Sequence, residues 1–422
     1  MPDHVVVIGA GAVGAATALT LAREGHRVTI LEPGEPGGPQ AASYGNSCWI
    51  SPESVVPMGV PGLWRKVPGF LADPLGPLTI RWRSLPRLAP WLAVFLRANA
   101  TVPRVERTSR ALAALLGDAV ARHEVLAAEA NASALIARLG HLYAWRDRAA
   151  FEADALGWRL RRAAGIRWIE LSSEELHRRE PALARDYTFA LLIEDAAHVL
   201  DPGALVAAYV AAARARGATH VRGRATGFAV ENGRLRAVRS DAGEIAADRA
   251  VIATGAHAKP LAAALGDRVP LESERGYHVV IRDPEATVRT PVMIADARTP
   301  LTPTAHGLRV AGQVELASID AEPDWRRAEV LKRLALRLLP GLPRDLPAER
   351  LSLWMGHRPS IADGLPVIGR ASGCADVVHA FGHGHVGLAA APKTAALVAD
   401  LIAGRSPVID PAPYSPKRFG RR

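Results

Sequence analysis

The 422-residue chain predicts an α/β fold in two parts, a discontinuous nucleotide-binding domain of doubly wound type and an α+β second domain on a mixed sheet. Three observations predict it. The first is Gly9-Ala10-Gly11-Ala12-Val13-Gly14, set between the apolar run Val5 to Ile8 and an alanine-rich helix, with Glu32 closing the next strand. The second is the segment Arg249 to Ala256, an apolar strand ending in Ala-Thr-Gly-Ala, which lets the chain turn sharply as it re-enters the first sheet. The third is Phe381-Gly382-His383-Gly384-His385-Val386-Gly387, which opens an apolar helix running to about Ala403.

Each position of the first motif has a physical reason. Gly9 permits the tight turn, Gly11 lets backbone approach a pyrophosphate, and Gly14 allows close packing of helix on strand. The helix N-terminus then receives the negative charge. Glu32, after a second short strand from Arg27 to Leu31, is placed to accept hydrogen bonds from the ribose hydroxyls of an adenosine. A 2′-phosphate would be repelled there, which disfavours NADP.

Beyond Glu32, a Gly/Pro-rich loop from Pro33 to Pro39 leads into the polar, tightly turned run Gln40 to Cys48. From Ser109 to about Gly140, apolar residues recur at helical spacing and predict a long helix or helical hairpin. Asp201-Pro202 reads as an N-cap with proline at the first helical position, opening a helix to Gly217. Strands Ala225 to Glu231 and Arg234 to Ser240 join at Asn232-Gly233, a hairpin signal. Runs Gly276 to Ile281 and Leu308 to Ala311 predict strands, and Trp325 to Leu339 a helix, of the second domain. The expected division is 1–60, 196–262 and 350–422 for the nucleotide domain and 61–195 with 263–349 for the other.

Composition, 49% hydrophobic and 22% charged, supports two sizeable cores. No secretory signal precedes the first strand and no apolar run reaches membrane-spanning length, so a cytoplasmic enzyme is expected. Cys48 and Cys374 are too few for a disulfide framework or a zinc site. The formal charge of +10 is spread along the chain without a nucleic-acid module. Two places concentrate it. Trp64, Trp82 and Trp91 alternate with Arg65, Arg81, Arg83 and Arg87, and the tail carries Lys417, Arg418, Arg421 and Arg422. Such a pattern suits contact with the inner face of a membrane; the competing expectation is a surface segment that packs its own tryptophans.

The late glycine-rich turn indicates the redox group. A nicotinamide enzyme does not require it, whereas a flavin does: N1 and O2 gain negative charge on reduction, and the amide end of a helix stabilises that charge. Gly384 and Gly387 are suitable backbone donors. His379, His383 and His385 lack the further ligands and spacing of a metal centre, so no metal is expected.

With these motifs the chain resembles the D-amino-acid oxidase superfamily of FAD oxidoreductases, most closely its bacterial D-amino-acid dehydrogenase branch. The resemblance spans nearly the whole chain and rests also on Ser43-Tyr44-Gly45-Asn46, Glu274-Arg275-Gly276-Tyr277-His278, Gly356-His357-Arg358-Pro359, Asp363 to Gly369 and Gly382 to Leu388 with Ala391-Pro392. It implies a Rossmann-like FAD-binding domain, a substrate domain on a mixed sheet, and a flavin buried between them. It also implies FAD contacts from Gly9, Ala10, Gly11, Ala12, Val13, Gly14, Glu32, Ser43, Tyr44, Asn46, Ser47 and Gly255. Further contacts are implied from Gly382, His383, Gly384, His385, Val386, Gly387 and Leu388, with Ala225 or its neighbour Thr226 at the adenine. Sarcosine-oxidase relatives carry a flavin-linking cysteine where this chain has Leu353-Trp354-Met355-Gly356, so non-covalent FAD is expected.

Oxidation of an amino acid at Cα needs a neutral amine, a carboxylate clamp and the Cα–H held against flavin N5 for hydride transfer. Arg358 is the expected clamp, because a guanidinium fork matches a carboxylate and Pro359 stiffens its backbone; it also falls on the family's carboxylate-binding position. The competing role pairs Arg358 with Asp363. Tyr277 is the second candidate, through its phenol, against an alternative as a core aromatic in the alternation Tyr277, Val279, Ile281; His278 points to the opposite face. His385 is the third, as a loop histidine near the flavin and substrate. The reaction implied converts a D-amino acid to an imino acid, then 2-oxo acid and ammonia, with D-proline or hydroxy-D-proline suggested by the Tyr-His pair. The electrons pass to a quinone or another carrier. The alternatives are a glycine- or sarcosine-type oxidase using O2 and an FAD-binding subunit of a larger electron-transfer assembly.

Overall fold

The computed structural model describes residues 3–62, 76 and 78–420. Trp64, Arg65, Arg421 and Arg422 lie outside the described residues. A six-stranded sheet forms the nucleotide-binding half, in the order Thr219–Arg222, Arg27–Glu32, His4–Ile8, Arg249–Ile252, Val377–Phe381, Val367–Arg370. The first five are parallel and the last is antiparallel. Such strands are covered on both faces, which is why Val5 to Ile8 is apolar throughout. Val5 and Val7 join Val28, Ile30 and Val251 beneath the helices Ala12–Arg23, Pro202–Ala215 and Gly387–Ala403. Val6 and Ile8 face the other way, into a core with Ile252 and with Leu235 and Val238 of a three-stranded antiparallel sheet.

The expected signals produce these elements. Asp201 caps its helix, its Oδ1 accepting the Ala204 N–H at 3.0 Å, with Pro202 in the first turn. The hairpin strands are Ala225–Glu231 and Arg234–Ser240, and Asn232 and Gly233 take φ values of +50° and +75° as a primed turn requires. The run expected from Ser109 to Gly140 is two helices, Val102–Leu116 and Ala119–Glu129, followed by a 3₁₀ turn and the short strand Ile136–Ala137. Both helices pack on Gly387–Ala403.

The larger sheet is mixed and has nine strands among the described residues. One strand in from its edge lies Leu271–Ile281, flanked by Gly307–Leu316 on one side and by the edge strand Leu351–Ile361 on the other. One face carries Val279, Ile281, Val292 and Leu301 under the amphipathic helix Arg326–Leu338; the other carries an aromatic cluster of Trp49, Tyr143, Trp145, Trp158 and Phe189. The expected division places residues from 350 onward, Leu351–Ile361 among them, with the nucleotide domain. The strand pairs antiparallel with all of Leu271–Ile281, a long-range partnership that no local pattern encodes. The tryptophans of the Trp-Arg stretch divide: Trp82 is exposed, whereas Trp91 is buried, donates to the Ser360 carbonyl at 3.1 Å and stacks on Phe95. Among the described residues, no helix is long and apolar enough to cross a membrane.

Candidate active site

A continuous cavity of about 790 Å³ runs between the two sheets, from Glu32 at one end to Arg358 and Gly387 at the other. At its nucleotide end Gly9 adopts φ +100°, and a Cβ there would lie 2.6 Å from the Ala253 carbonyl oxygen. A Cβ on Gly14 would lie 1.9 Å from the Gly9 oxygen, so Gly14 serves packing and does not itself line the cavity. Gly11, Ala12 and Val13 do line it. The helix they open carries no side-chain cap and no acidic residue in its first turn, which leaves its positive end to an anionic ligand. The Ser43 hydroxyl accepts the Ala12 N–H at 3.2 Å.

Glu32 is buried, and its carboxylate accepts the N–H of Ala10 at 2.7 Å and of Gly34 at 3.1 Å. Gln40 Nε2 donates to the same carboxylate at 3.4 Å; a carboxylate has about four acceptor sites, so these three bonds still leave capacity for a ribose hydroxyl. Gly255, Ala225 and Thr226 line the same end. At the far end the Gly387–Ala403 helix also starts without a side-chain cap or acidic first turn, and Gly384, with φ +52°, lines the cavity before it. The cavity thus offers two helix N-termini with no acidic first turn, the Ser43 hydroxyl taking one N–H of the first, together with glycines that keep its walls bare and a carboxylate at the ribose position. This donor set fits FAD.

The loop Ser43 to Cys48 closes one wall, held by side chains of the larger sheet. Arg309 Nη1 donates to the carbonyls of Tyr44 and Asn46 at 3.1 and 2.8 Å, His278 Nδ1 bonds the Gly45 carbonyl at 3.0 Å, and Thr302 donates to the Ser47 carbonyl at 3.0 Å. Ser43, Gly45, Asn46 and Ser47 line the cavity, while Tyr44 does not, its ring lying 6.3 Å from that of Trp354, which does. Ala10 and Val386 also fall outside the lining; Ala10 acts through its N–H on Glu32. Cys48 is fully buried, and burial pushes its thiol up.

On the opposite wall Arg358 extends across Gly276, where a Cβ would come within 2.2 Å of the guanidinium carbon. Its Nη1 donates to the Gln313 carbonyl at 2.9 Å and its Nη2 reaches the Gly312 carbonyl at 3.4 Å. Among the described residues no carboxylate pairs with it. Asp363, its expected rival partner, is taken by Arg418 at 2.7 and 3.1 Å. Burial lowers the Arg358 pKa while nearby Glu274 opposes the shift, and a guanidinium stays charged regardless. Glu274 is buried beside it. Burial raises its carboxyl, but the His385 contact at 3.0 Å, Ser360 and Arg358 together hold it below the usual range.

His385 therefore lines the cavity with its ring fixed by Glu274. His383, also at the wall, bonds Thr394 at 3.0 Å, and burial drives its pKa down to about 3. His379 pairs with Asp267 at 2.8 Å, so the three late histidines go to three separate partners.

Tyr277 is where the sequence reading fails. It does not line the cavity; its hydroxyl donates to Glu315 at 2.6 Å and accepts the Asp324 N–H at 2.9 Å, on the face covered by the Arg326–Leu338 helix. The alternation that made it a core candidate decides its position. His278 faces the other way, against Trp354 and the Gly45 carbonyl. Sequence reasoning missed Glu274 as the anchor of His385, and Glu272, which joins Arg87 at 3.0 Å and Lys259 at 2.8 Å at the cavity wall. The spacing Glu272, Glu274, Gly276 on one strand was the available signal: three residues sharing a face, two of them acidic, in a strand that is buried along its whole length.

A family model described as FAD dependent oxidoreductase matches residues 4–401. A D-amino-acid oxidase from Bradyrhizobium diazoefficiens is 51% identical, the match covering 99% of this chain and 100% of the relative. A protein named D-amino acid dehydrogenase 2, from Ralstonia nicotianae, is 33% identical over 98% of this chain and 99% of its own. Among solved structures, glycine oxidase from Geobacillus kaustophilus superposes with a TM-score of 0.74 at 22% identity, covering 99% of both chains, and shows the same fold. The chain belongs to the FAD-dependent oxidoreductase family, an enzyme family whose cofactor is FAD. No cysteine stands in the Leu353 to Gly356 segment and the Cys48 thiol is buried, in keeping with a cofactor held without a covalent bond.

Proposed function

We propose that this enzyme oxidises a D-amino acid at Cα, releasing an imino acid that water converts to a 2-oxo acid and ammonia. The observation that carries the reading is Arg358, a buried cation at the cavity wall whose hydrogen bonds among the described residues go to two backbone carbonyls, with the nearby Glu274 carboxylate committed to His385. A guanidinium fork without a directly bonded carboxylate is open to an α-carboxylate, which it can take bidentately. The names of the relatives at 51% and 33% identity support the D-configuration.

Arg358 fixes the carboxylate, and Gly276 leaves the space its guanidinium crosses. His385, with its ring oriented by Glu274, stands as the polar group for the substrate amine. The loop Ser43 to Ser47 excludes water from the opposite side. Bound FAD supplies the two-electron acceptor for the Cα–H bond; the amine proton leaves to solvent as the C=N bond forms. Neither Tyr277 nor His278 lines the cavity, so the Tyr-His pair lends no support to a ring substrate, and D-proline stands only as one member of the panel to be tested.

The electron acceptor divides two readings. Transfer to a quinone or another carrier matches the dehydrogenase relative, and transfer to O2 matches the oxidase relative. Anaerobic mixing of the yellow protein with a panel of D- and L-amino acids tests the main proposal: D-enantiomers should bleach the flavin and L-enantiomers should not. Bleaching by the L-series alone would overturn it. Oxygen uptake compared with dye reduction then assigns the acceptor.

A further inference from the structure

We propose that Gln313 is a positioning residue for Arg358, turning its own backbone carbonyl onto the guanidinium and holding it there through a side-chain tether to buried Arg327. The inference rests on the carboxylate-binding reading of Arg358.

Three observations converge. The pairing between Leu271–Ile281 and Gly307–Leu316 shifts register from Arg275 opposite Glu315 to Tyr277 opposite Gly312, so one extra residue is accommodated on the second strand. Such a β-bulge re-aims the groups beside it and ordinarily places glycine at its left-handed position. Here that position is Gln313, with φ +60°. Gly312 is adjacent and would adopt this conformation freely, yet the positive φ falls on a residue with a side chain.

The side chain explains the choice. Gln313 Oε1 accepts from Arg327 Nη1 at 2.9 Å, and Arg327 is buried at the start of the Arg326–Leu338 helix. The tether fixes the peptide in the orientation that presents its carbonyl to Arg358 at 2.9 Å, with the Gly312 carbonyl alongside at 3.4 Å. Two carbonyls hold the guanidinium without neutralising it, whereas a carboxylate would compete with substrate. Strain kept at a site by surrounding structure is the pattern expected of a functional constraint.

Gln313→Gly separates this role from a structural one, because glycine relieves the backbone and removes the tether. The expected result is an unchanged or higher Tm, retained FAD, kcat within about twofold of the parent, and KM for D-alanine raised roughly tenfold. Binding of propionate, a carboxylate without an amine, followed by the flavin's visible spectrum, should weaken by a similar factor. Gln313→Glu keeps an acceptor for Arg327 and should restore parent values. Propionate binding unchanged in Q313G but lost in R358A would overturn the inference; propionate binding unchanged in R358A would remove the reading of Arg358, and the inference with it.

Discussion

The two ends of the cavity are built from different materials. The nucleotide end is made of backbone: glycines at Gly9 and Gly11, with Gly14 packing the turn behind them, the N-terminus of the Ala12–Arg23 helix, and a carboxylate at Glu32. The substrate end is made of side chains whose positions depend on distant strands, with Arg358 resting on carbonyls of Gly312 and Gln313 and His385 resting on Glu274. Backbone chemistry is written contiguously, because a turn and the helix it opens occupy consecutive residues. Side-chain chemistry is written in register, which only pairing between strands reveals. The difference should appear in what single substitutions do.

The largest expected effect is at the backbone end. Gly9→Ala places a side chain at φ +100° and a Cβ 2.6 Å from the Ala253 oxygen, with no flexible neighbour able to yield. The strand-to-helix turn must shift, and the variant is expected to lose FAD on desalting, read as the ratio of flavin to protein absorbance. Retention of FAD at the parent level would show that the turn tolerates what the geometry forbids. Next comes Arg358→Ala, which should raise KM by roughly two to four decades if stranding one member of a desolvated charge pair costs about 3 to 5 kcal/mol. FAD content should stay intact. A variant that loses flavin and substrate affinity together would erase the distinction between the two ends.

These contrasts mirror how much of the molecule the sequence disclosed. Three strands of the first sheet, His4–Ile8, Arg27–Glu32 and Arg249–Ile252, were legible because they are largely apolar and the glycines between them fall at fixed spacing, and the Asp201-Pro202 helix and Asn232-Gly233 hairpin were legible from caps and turns. That Arg358 lines the cavity agrees with what its Arg-Pro motif and the family resemblance led us to expect. Glu274 was not legible, since an acid in a strand declares no partner until His385, 111 positions later, is brought to it. The bulge at Gln313 was equally hidden, because nothing in Ala311-Gly312-Gln313-Val314 marks which residue takes the positive φ.

A third effect, smaller and spread over both ends, concerns acid. His123 is driven down to about 4, and His278 and His383 to about 3, each by burial. Above the unfolded value near 6.5 both states are neutral and these groups cost nothing. Between about 6.5 and 4 the unfolded chain takes up protons that the native state refuses, so stability falls as pH falls, by at most about 1.4 kcal/mol per pH unit for each histidine. Tm should therefore decline steadily from pH 7 to pH 5. His278 holds the Gly45 carbonyl at one wall and His383 lies at another, so flavin release should track the same decline. A flat Tm across this range would mean that these rings are solvated.

The smallest effect is expected at Tyr277. If the residue touched substrate, Tyr277→Phe would raise KM in the manner of a lost carboxylate hydrogen bond. Its hydroxyl instead donates to Glu315 at 2.6 Å, and Glu315, itself buried, also takes Arg81 at 2.6 Å and Arg275 at 3.2 Å. Removing one donor from a carboxylate that keeps two guanidinium partners costs roughly 1 to 2 kcal/mol of stability, and the Asp324 N–H loses its acceptor. Y277F should thus lower Tm by a few degrees while KM and kcat stay within about twofold of the parent. A KM change of tenfold with Tm unmoved would place the phenol in the cavity after all and reverse the assignment of the two faces of this strand.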